Sequence, residues 1–381
     1  MMDLIYTEDQ LAYRDAVRSF SDQVLRPIDA ELNLDRHLSA SEVHDLRDRL
    51  TKYEIATTAP TTGDESLDLV TAGIFIEEIS KVNLGFAALM PWLFFPISTF
   101  ASLLTAEQHG AYGKLFERGA GMVLAMSETA AEPNPGQIEV SAELQGDSWV
   151  LRGRKIWASA ADIADVIIVA ARDTQSGEIG LFIVPSGTAN CEVTPVDMMG
   201  VRAVSECEIG FDDCRIPENA RLHLPDGSAS ASALSWYGRV RVSFMAVGVA
   251  QAALDLAVEH AKSRTQFGRP IAGFQLIQGL LADMAIEVEA MRLLALRAAS
   301  LIAARSAGAQ VAVSMAKSFN AEAAARVTSR GIQVHGAIGL ATESPAERYF
   351  RDARTLTIRD GTTQTHQLII GRSVTGISIP R

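Results

Sequence analysis

Hydrophobic residues recur at helical spacing throughout the C-terminal part of the chain. Apolar positions three and four residues apart predict four or five long helices, of which residues 276–305 and 310–331 are the clearest. Residues 264–275 connect two of these helices and contain Gly268 and Pro270, which are typical of a helix end followed by a fixed turn. We therefore expect a helical hairpin joined by this short segment.

The N-terminal part shows the same spacing. Residues 7–10 read Thr-Glu-Asp-Gln, a capping-box pattern that predicts a helix running towards Pro27. Residues 84–104 carry no charge and are long enough to span a membrane, but Pro91 and Pro96 interrupt them. We expect this segment to be buried core and the protein to have no membrane span.

The middle of the chain changes to short runs of β-branched and aromatic residues, which predict strands. These runs are residues 149–151, 166–169, 181–184 and 206–211. Turn residues such as Gly146 and Gly177 separate them. The pattern predicts an α+β fold with an N-terminal α-helical domain over residues 1–121, a small antiparallel β-domain over residues 122–228 and a C-terminal four-helix-bundle domain over residues 229–381.

Composition and charge narrow the possible functions. The chain has 381 residues, of which 48% are hydrophobic, so large buried cores are possible and a disordered chain is not expected. A net charge of −12 without a Lys/Arg cluster argues against a nucleic-acid partner. The cysteines Cys191, Cys207 and Cys214 lack metal-ligand spacing, so we expect no metal site. Their odd number and the lack of a secretory signal lead us to expect a cytoplasmic location.

Residues 264–275 read Arg-Thr-Gln-Phe-Gly-Arg-Pro-Ile-Ala-Gly-Phe-Gln. They resemble, position by position, a segment of the acyl-CoA dehydrogenase superfamily, and the helical, β, helical order resembles that family over essentially the whole chain. In the family the Arg and the Gln of this segment contact an FAD held mainly by the neighbouring subunit. The resemblance implies FAD as cofactor, a homodimer or homotetramer, and cofactor contacts by Arg264, Gln266, Phe267 and Gln275.

Two segments of the β-domain resemble flavin-contacting segments of the family. Residues 125–128, Ala-Met-Ser-Glu, resemble the Thr-Glu-Pro motif of the family, with Ser127 in place of Thr. Residues 155–159, Lys-Ile-Trp-Ala-Ser, resemble the Lys-x-Trp-Ile-(Thr/Ser) segment of the family. The resemblance implies that a tryptophan packs on the flavin and that hydroxyls hold its edge. The residues concerned are Met126, Ser127, Trp157 and Ser159. The alternative is an ordinary strand with a core tryptophan and a surface serine.

Residues 333–339, Gln-Val-His-Gly-Ala-Ile-Gly, resemble a family element that approaches the adenine and pyrophosphate. The resemblance implies cofactor contacts by Gln333 and Gly336, and glycine permits close backbone approach. Ala337 replaces one glycine of the family pattern. We expect His335, inside this element, to have a packing or backbone-bonding role.

Two further positions depart from the family pattern. Residues 57–68 lack the Gly-Gly-x-Gly loop of relatives, so that loop is expected to be shaped differently. Pro133 stands where relatives offer a serine to the pyrophosphate, and proline has neither a hydroxyl nor an N–H to donate. The resemblance therefore leaves open how FAD is held at this point.

Residues 358–362, Ile-Arg-Asp-Gly-Thr, resemble a segment in which Glu removes the α-proton of an acyl thioester. This implies Asp360 as the base, because a carboxylate buried beside apolar substrate has a raised pKa and can take a proton from carbon. Asp is one methylene shorter than Glu, which withdraws the oxygen by about 1.5 Å. The alternative is a turn residue before a helix capped by Thr362 or Thr363.

Some relatives carry the base instead on the helix that begins the C-terminal domain, just before an Arg. That position is Gly238 in this chain, so no alternative Glu is available there. The resemblance also implies substrate contacts by Arg239 and Gly361, and cofactor contacts by Thr362 and Gln364.

The resemblance implies an FAD-dependent oxidoreductase acting on CH–CH groups. We expect α,β-dehydrogenation of an acyl thioester of coenzyme A or of an acyl carrier protein, with Asp360 taking the α-proton and flavin N5 the β-hydride. An electron-transfer flavoprotein or dioxygen would accept the electrons. Two alternatives remain open. One is an oxidase or monooxygenase on the same scaffold, since nitroalkane oxidases also carry Asp at the base position, and the other is a non-catalytic flavin-binding protein.

Overall fold

A computed structural model describes residues 6–50, 52–53, 69–89, 104–117, 121–129, 137–222 and 228–377. The loop over residues 57–68, Pro133 and most of the apolar segment, residues 90–103, lie outside these ranges. The described residues form N-terminal helices, a middle β-sheet and C-terminal helices. This confirms the predicted α+β fold.

The N-terminal helices begin at the predicted capping box. They are α1 (Glu8–Phe20), α2 (Arg26–Leu32), α3 (Ala40–Leu50), α4 (Leu69–Val82), α5 (Leu84–Ala88) and α6 (Ala106–Glu117). The Thr7 hydroxyl accepts the Gln10 N–H at 3.2 Å, and the Gln10 side chain accepts the Thr7 N–H at 3.0 Å. A π-helical turn, Ser21–Leu25, joins α1 to α2. All five residues of α5 are buried, as expected for the start of the apolar segment.

The middle domain is one seven-stranded sheet. Its strands are β1 (Met122–Ala125), β2 (Ser141–Gln145), β3 (Ser148–Ser159), β4 (Val166–Asp173), β5 (Ile179–Pro185), β6 (Cys191–Val196) and β7 (Glu206–Pro217). The strand order is β1-β4-β2-β3-β7-β6, and β5 also pairs with β4. The pairings are antiparallel except for two parallel ones, β1 with β4 and β2 with β4. Each predicted run of β-branched and aromatic residues lies in one of these strands.

The C-terminal domain contains the long predicted helices. They are α7 (Ser228–Ser263), α8 (Gln275–Ala303), α9 (Ala309–His335), α10 (Pro345–Leu356) and α11 (Thr363–Thr375). The predicted hairpin segment joins α7 to α8 and contains two short paired strands, β8 (Thr265–Gln266) and β9 (Arg269–Pro270). Helix α7 packs against α8, α9 and α4, so it lies at the centre of the molecule.

Within the described ranges, the stretch Trp236–Ser263 of α7 is the one helix long and apolar enough to cross a membrane. In the fold, 67% of the most apolar 18-residue part of this stretch is buried by the rest of the chain. The core helix of a helical bundle has the same length and composition, so this stretch is weak evidence for a membrane span.

A buried ion pair joins α8 to the N-terminal helix α4, and its arginine also bonds to α7. Arg292 on α8 donates to the buried carboxylate of Glu77 on α4 at 2.9 Å, and to the side-chain oxygen of Gln251 on α7 at 2.9 Å. A β-carbon on Gly248 of α7 would lie 2.5 Å from the Glu77 carbonyl oxygen, so glycine is needed for this close approach. These contacts fix the position of α7, which also carries the candidate site residue Arg239.

Candidate active site

Asp360 lies in the turn between α10 and α11, and its backbone is left-handed. The φ angle is +55° at Asp360 and +98° at Gly361. Positive φ is uncommon outside glycine, and Asp is one of the residues that tolerate it. The Thr362 hydroxyl caps α11 by accepting the Thr365 N–H at 3.2 Å. The capping role foreseen for Thr362 is therefore present, and it leaves the Asp360 carboxylate free.

Two buried side chains contact the backbone carbonyl oxygens of this turn. Lys317 on α9 donates from Nζ to the carbonyl oxygen of Gly361, and His366 Nε2 lies 3.4 Å from the carbonyl oxygen of Asp360. Burial, with the positive charge of Lys317, lowers the pKa of His366 to about 4, so this imidazole is neutral at pH 7. Burial also lowers the pKa of Lys317 to about 8.

The Asp360 carboxylate faces α7 at Gly238. A β-carbon built on Gly238 would lie 3.4 Å from Asp360 Oδ1 and 3.6 Å from Oδ2. Asp360 is exposed, and its carboxylate forms no hydrogen bond or ion pair with a described residue. The expected burial of this carboxylate is therefore not provided by the single chain.

Two arginines of α7 act electrostatically on the same carboxylate. Burial lowers the pKa of both Arg239 and Arg241, and the negative charge of Asp360 opposes this shift. Both guanidinium groups stay charged, because arginine is not deprotonated in proteins. The Nε atom of each is buried and has no hydrogen-bond partner in the described part of the chain. Asp360 is therefore surrounded by positive charge from α7 and α9.

Ser159 at the end of β3 belongs to a hydrogen-bonded cluster that joins the β-domain to the C-terminal helical domain. Its hydroxyl lies 2.9 Å from both carboxylate oxygens of Glu206 on β7, and it accepts from Arg359 at 3.2 Å. Arg359 also forms an ion pair with Glu206, and both side chains are mostly buried. Because Arg359 precedes Asp360, this cluster links the predicted flavin-edge serine to the predicted base.

Met126 and Ser127 are held against β3 by another ion pair. The fully buried Lys155 donates to the carboxylate of Glu128 and, at 3.0 Å, to the carbonyl oxygen of Met126. The Ile156 N–H donates to the Ser127 carbonyl oxygen at 3.0 Å. Met126 and Ser127 remain half-buried. The two segments that resemble flavin-contacting segments are thus adjacent in space.

Trp157 protrudes at a bulge of β3. The pairing of β3 with β7 shifts register between Lys155 and Ala158, and Trp157 has φ +56°. Its side chain is 49% exposed, so it is not the core tryptophan of an ordinary strand. Large aromatic surface left open in this way is available to a ligand or a partner.

The hairpin residues Arg264, Gln266, Phe267 and Gln275 are all exposed. Phe267 is 92% exposed, and Leu276 beside Gln275 is 86% exposed. Gly238 and Arg264 are 26 residues apart (264 − 238) along α7 and its C-terminal end, which is about 39 Å at the rise of an α-helix. The hairpin of one chain therefore lies far from that chain's Asp360.

Gln333 and Gly336 lie near the hairpin end of the fold. Helix α9 ends at His335, and Gly336 follows with φ +65°. His335 Nδ1 bonds the Gly331 carbonyl oxygen at 2.7 Å, and its ring stacks on His260 of α7 at 4.4 Å. These rings border a cleft of about 520 Å³. His335 thus has the packing and backbone-bonding role that we expected.

The site residues form two groups, one beside the first third of α7 and one beyond its C-terminal end. Asp360, Gly361 and Arg239 belong to the first group, which is joined to Ser159 through Arg359, and the hairpin with Gln333 and Gly336 forms the second. Sequence patterns did not identify Arg241, Lys317, Glu206, Arg359 or His366. For Arg241 a signal existed, because it follows Gly238 by three residues and three-residue spacing places both on one helix face. The others come close only through tertiary packing.

This arrangement defines an α+β protein with a carboxylate-containing site where the C-terminal helices meet the β-domain. Three family models match the chain: the acyl-CoA dehydrogenase N-terminal domain over residues 7–112, the middle domain over residues 123–214 and the C-terminal domain over residues 226–375. The chain belongs to the acyl-CoA dehydrogenase family.

Individual proteins agree with this assignment. The chain is 34% identical over 371 residues to the mitochondrial short-chain specific acyl-CoA dehydrogenase of Mus musculus, which covers 94% of this chain and 88% of that protein. It is 30% identical over 381 residues to the 3-sulfinopropanoyl-CoA desulfinase of Paraburkholderia xenovorans (strain LB400), covering 94% of each. The glutaryl-CoA dehydrogenase structure from Mycobacterium smegmatis superposes with a TM-score of 0.87 at 26% identity, covering 99% of this chain and 97% of that one.

Members of this family are FAD-dependent oxidoreductases that act on CH–CH groups, and the predicted class of enzyme and its cofactor are thereby confirmed. The residues present fit FAD. Trp157 and Phe267 offer aromatic surface that the single chain leaves uncovered. Arg264 and Gln275 expose polar groups. In the described part of the chain, no atom lies within 4 Å of the position that a β-carbon would take on Gly336, so the backbone there is open to a ligand. Which of these residues contact FAD stays a prediction.

Proposed function

We propose that the protein removes hydrogen from the α and β carbons of an acyl thioester, with Asp360 as the base. The observation that carries this proposal is the Asp360 carboxylate, which has no hydrogen-bond or ion-pair partner among the described residues and lies beside Gly238. A carboxylate that is not already engaged can accept a proton from carbon. The positional likeness to relatives that carry Glu supports the same role.

The surrounding residues would stabilise the charge that develops in the reaction. Removing the α-proton places negative charge on the thioester oxygen, and donors and cations fixed nearby lower the energy of that state. Arg239, Arg241 and Lys317 are such cations. FAD, when bound, supplies the hydride acceptor. The hydrogen bonds of the Ser159 hydroxyl to Glu206 and Arg359 would keep Ser159 in place beside the flavin.

Coenzyme A is the thioester carrier we propose, because the relatives with high coverage are named for CoA thioesters. Their acyl groups differ, so family membership alone does not decide the acyl group. An electron-transfer flavoprotein is the proposed electron acceptor. We also propose a homodimer or homotetramer, supported by the exposed hairpin and its distance from Asp360 in the same chain.

The test is anaerobic titration of the purified flavoprotein with a panel of acyl-CoA thioesters, followed by flavin absorbance. We expect bleaching by at least one thioester, and we expect Asp360→Asn to slow it by about 10²- to 10⁴-fold. If no thioester bleaches the flavin while a nitroalkane does and dioxygen reoxidises it rapidly, the oxidase alternative replaces this proposal. If Asp360→Asn changes no reduction rate, Asp360 is not the base.

A further inference from the structure

Positive charge exceeds negative charge around the Asp360 turn. The cations are Arg239, Arg241 and Lys317, and the carboxylates that act on them are Asp360 and Glu322. A fourth cation, Arg359, is already neutralised by Glu206. Among the residues that the structure describes, one positive charge is therefore left without a counterion, in a chain whose net charge is −12.

Of these cations, Arg241 has its positive charge least balanced by nearby carboxylates and hydrogen-bond acceptors of the protein. Its Nε atom is buried and has no hydrogen-bond partner, and its guanidinium forms no ion pair with a described residue. Asp360 attracts it, but Arg359 repels it. A partly buried charge without a partner carries a desolvation cost, and an anion that binds there would relieve that cost.

Arg241 is also placed to reach a bound substrate. It follows Gly238 by three residues on α7, so it lies on the helix face that meets the Asp360 carboxylate. Arg241 is half-buried, which leaves part of the side chain accessible although Nε is closed off. Its planar guanidinium can bind a carboxylate or a similar oxyanion through two parallel hydrogen bonds.

We propose that Arg241 binds a second anionic group, carried by the acyl chain of the substrate, so that the enzyme acts on acyl thioesters whose acyl group bears a carboxylate or a comparable oxyanion. The inference rests on the proposed dehydrogenation for the orientation of the substrate. Arg239, one residue from Gly238, supports the same anion electrostatically.

The competing explanation is that Arg241 only stabilises the charge developing on the thioester oxygen. That charge forms with every acyl group, so this role would give no preference between acyl chains. Binding of an anionic acyl group gives a preference before any chemistry occurs. Equilibrium binding therefore separates the two explanations.

The experiment compares two short linear 3-thia-acyl-CoA thioesters of matched length, one ending in a carboxylate and one in a methyl group. Neither can be dehydrogenated, because sulfur replaces the β-carbon. Affinity is measured by calorimetry for the FAD-loaded wild type, Arg241→Met, Arg241→Lys and Arg297→Met. Arg297 is exposed on α8, so its replacement removes one positive charge outside the site.

We expect the wild type to bind the carboxylate-ended thioester about tenfold or more tightly than the methyl-ended one. Arg241→Met should lose that preference, because it should weaken binding of the carboxylate-ended thioester far more than binding of the methyl-ended one. Arg241→Lys should keep part of the preference, and Arg297→Met should keep all of it. The proposal is overturned if the wild type prefers the methyl-ended thioester, or if Arg241→Met weakens both thioesters equally.

Flavin reduction by the matching oxidisable thioesters separates this proposal from the dehydrogenase proposal. Selective binding without any flavin reduction would retain the anion site and reject the dehydrogenation. Reduction by both thioesters at equal efficiency, without selective binding, would retain the dehydrogenation and reject the anion site.

Discussion

The carboxylate of Asp360 faces Gly238, so that a β-carbon built on Gly238 would lie 3.4 Å from Oδ1. The two residues come from elements more than a hundred positions apart in the chain. The resemblance to the family places the base at one or the other of these positions. Their contact here puts both positions beside one point in space, so a carboxylate carried at either position would reach the same place.

This contact predicts that the base can be moved from one position to the other. Asp360→Ala should slow flavin reduction by about 10²- to 10⁴-fold. Adding Gly238→Glu should restore on the order of tenfold, because its carboxylate enters the space that Asp360 vacates. Stopped-flow reduction with the preferred thioester measures both effects.

The matched control for that exchange is Asp360→Ala with Gly238→Gln. Glutamine has the same shape as glutamate but cannot accept the proton, so it should restore nothing. Equal recovery with Gln, or no recovery with Glu in a protein that retains FAD, would show that the two positions are not interchangeable.

A second prediction concerns the ion pair between Glu206 and Arg359. Glu206→Gln leaves the mostly buried Arg359 without a carboxylate and should lower the free energy of unfolding by about 3 kcal/mol. Adding Arg359→Met should cost less than the sum of the single changes, with a coupling of about 1–3 kcal/mol. Urea unfolding of the four proteins in excess FAD measures the cycle. Additive costs would mean that the pair does not act as a unit.

Local sequence patterns predicted the elements of this fold well. The capping box at Thr7 begins α1, and the helical spacing after Gln275 corresponds to α8. These predictions depend on contacts within a few residues, which the order of the chain already determines. The hairpin between α7 and α8 was predictable for the same reason, since glycine and proline act locally.

The site was only partly predictable, because its charges come from distant elements. Lys317 lies in a helix and carries an ordinary basic side chain, and nothing near it in sequence indicates that it is fully buried under Gly361. The positive φ of Trp157 arises from a register shift between two strands that are about fifty residues apart. Asp360 was expected to be buried beside a bound substrate, and the chain alone leaves it exposed.

His366 predicts a specific loss of stability in acid. Its pKa is about 4 in the folded protein, below the ordinary 6.5, so the folded state binds fewer protons between these values. As the pH falls from 6.5 to 4, the unfolded chain gains the proton and the folded protein does not. Folding stability should therefore fall by about 3 kcal/mol over this window, with no contribution above it.

His366→Asn should remove that part of the acid slope, because asparagine does not titrate but can still donate to the Asp360 carbonyl oxygen. Urea unfolding at several pH values between 7 and 4.5 measures the slope, and His109→Asn, at an exposed histidine of α6, is the control. An unchanged slope in His366→Asn would show that this imidazole is charged in the folded protein.

Phe267 at the tip of the hairpin predicts a link between assembly and flavin retention. It is 92% exposed in the single chain, and burying a phenylalanine contributes about 2 kcal/mol, which counts twice in a two-fold interface. Phe267→Ser should therefore weaken both self-association, measured by sedimentation, and the ratio of flavin to protein absorbance. The control is Ile179→Ser, an exposed apolar residue of β5 that should change neither. If Phe267→Ser stays assembled and fully loaded with FAD, the hairpin neither joins subunits nor completes a neighbour's flavin site.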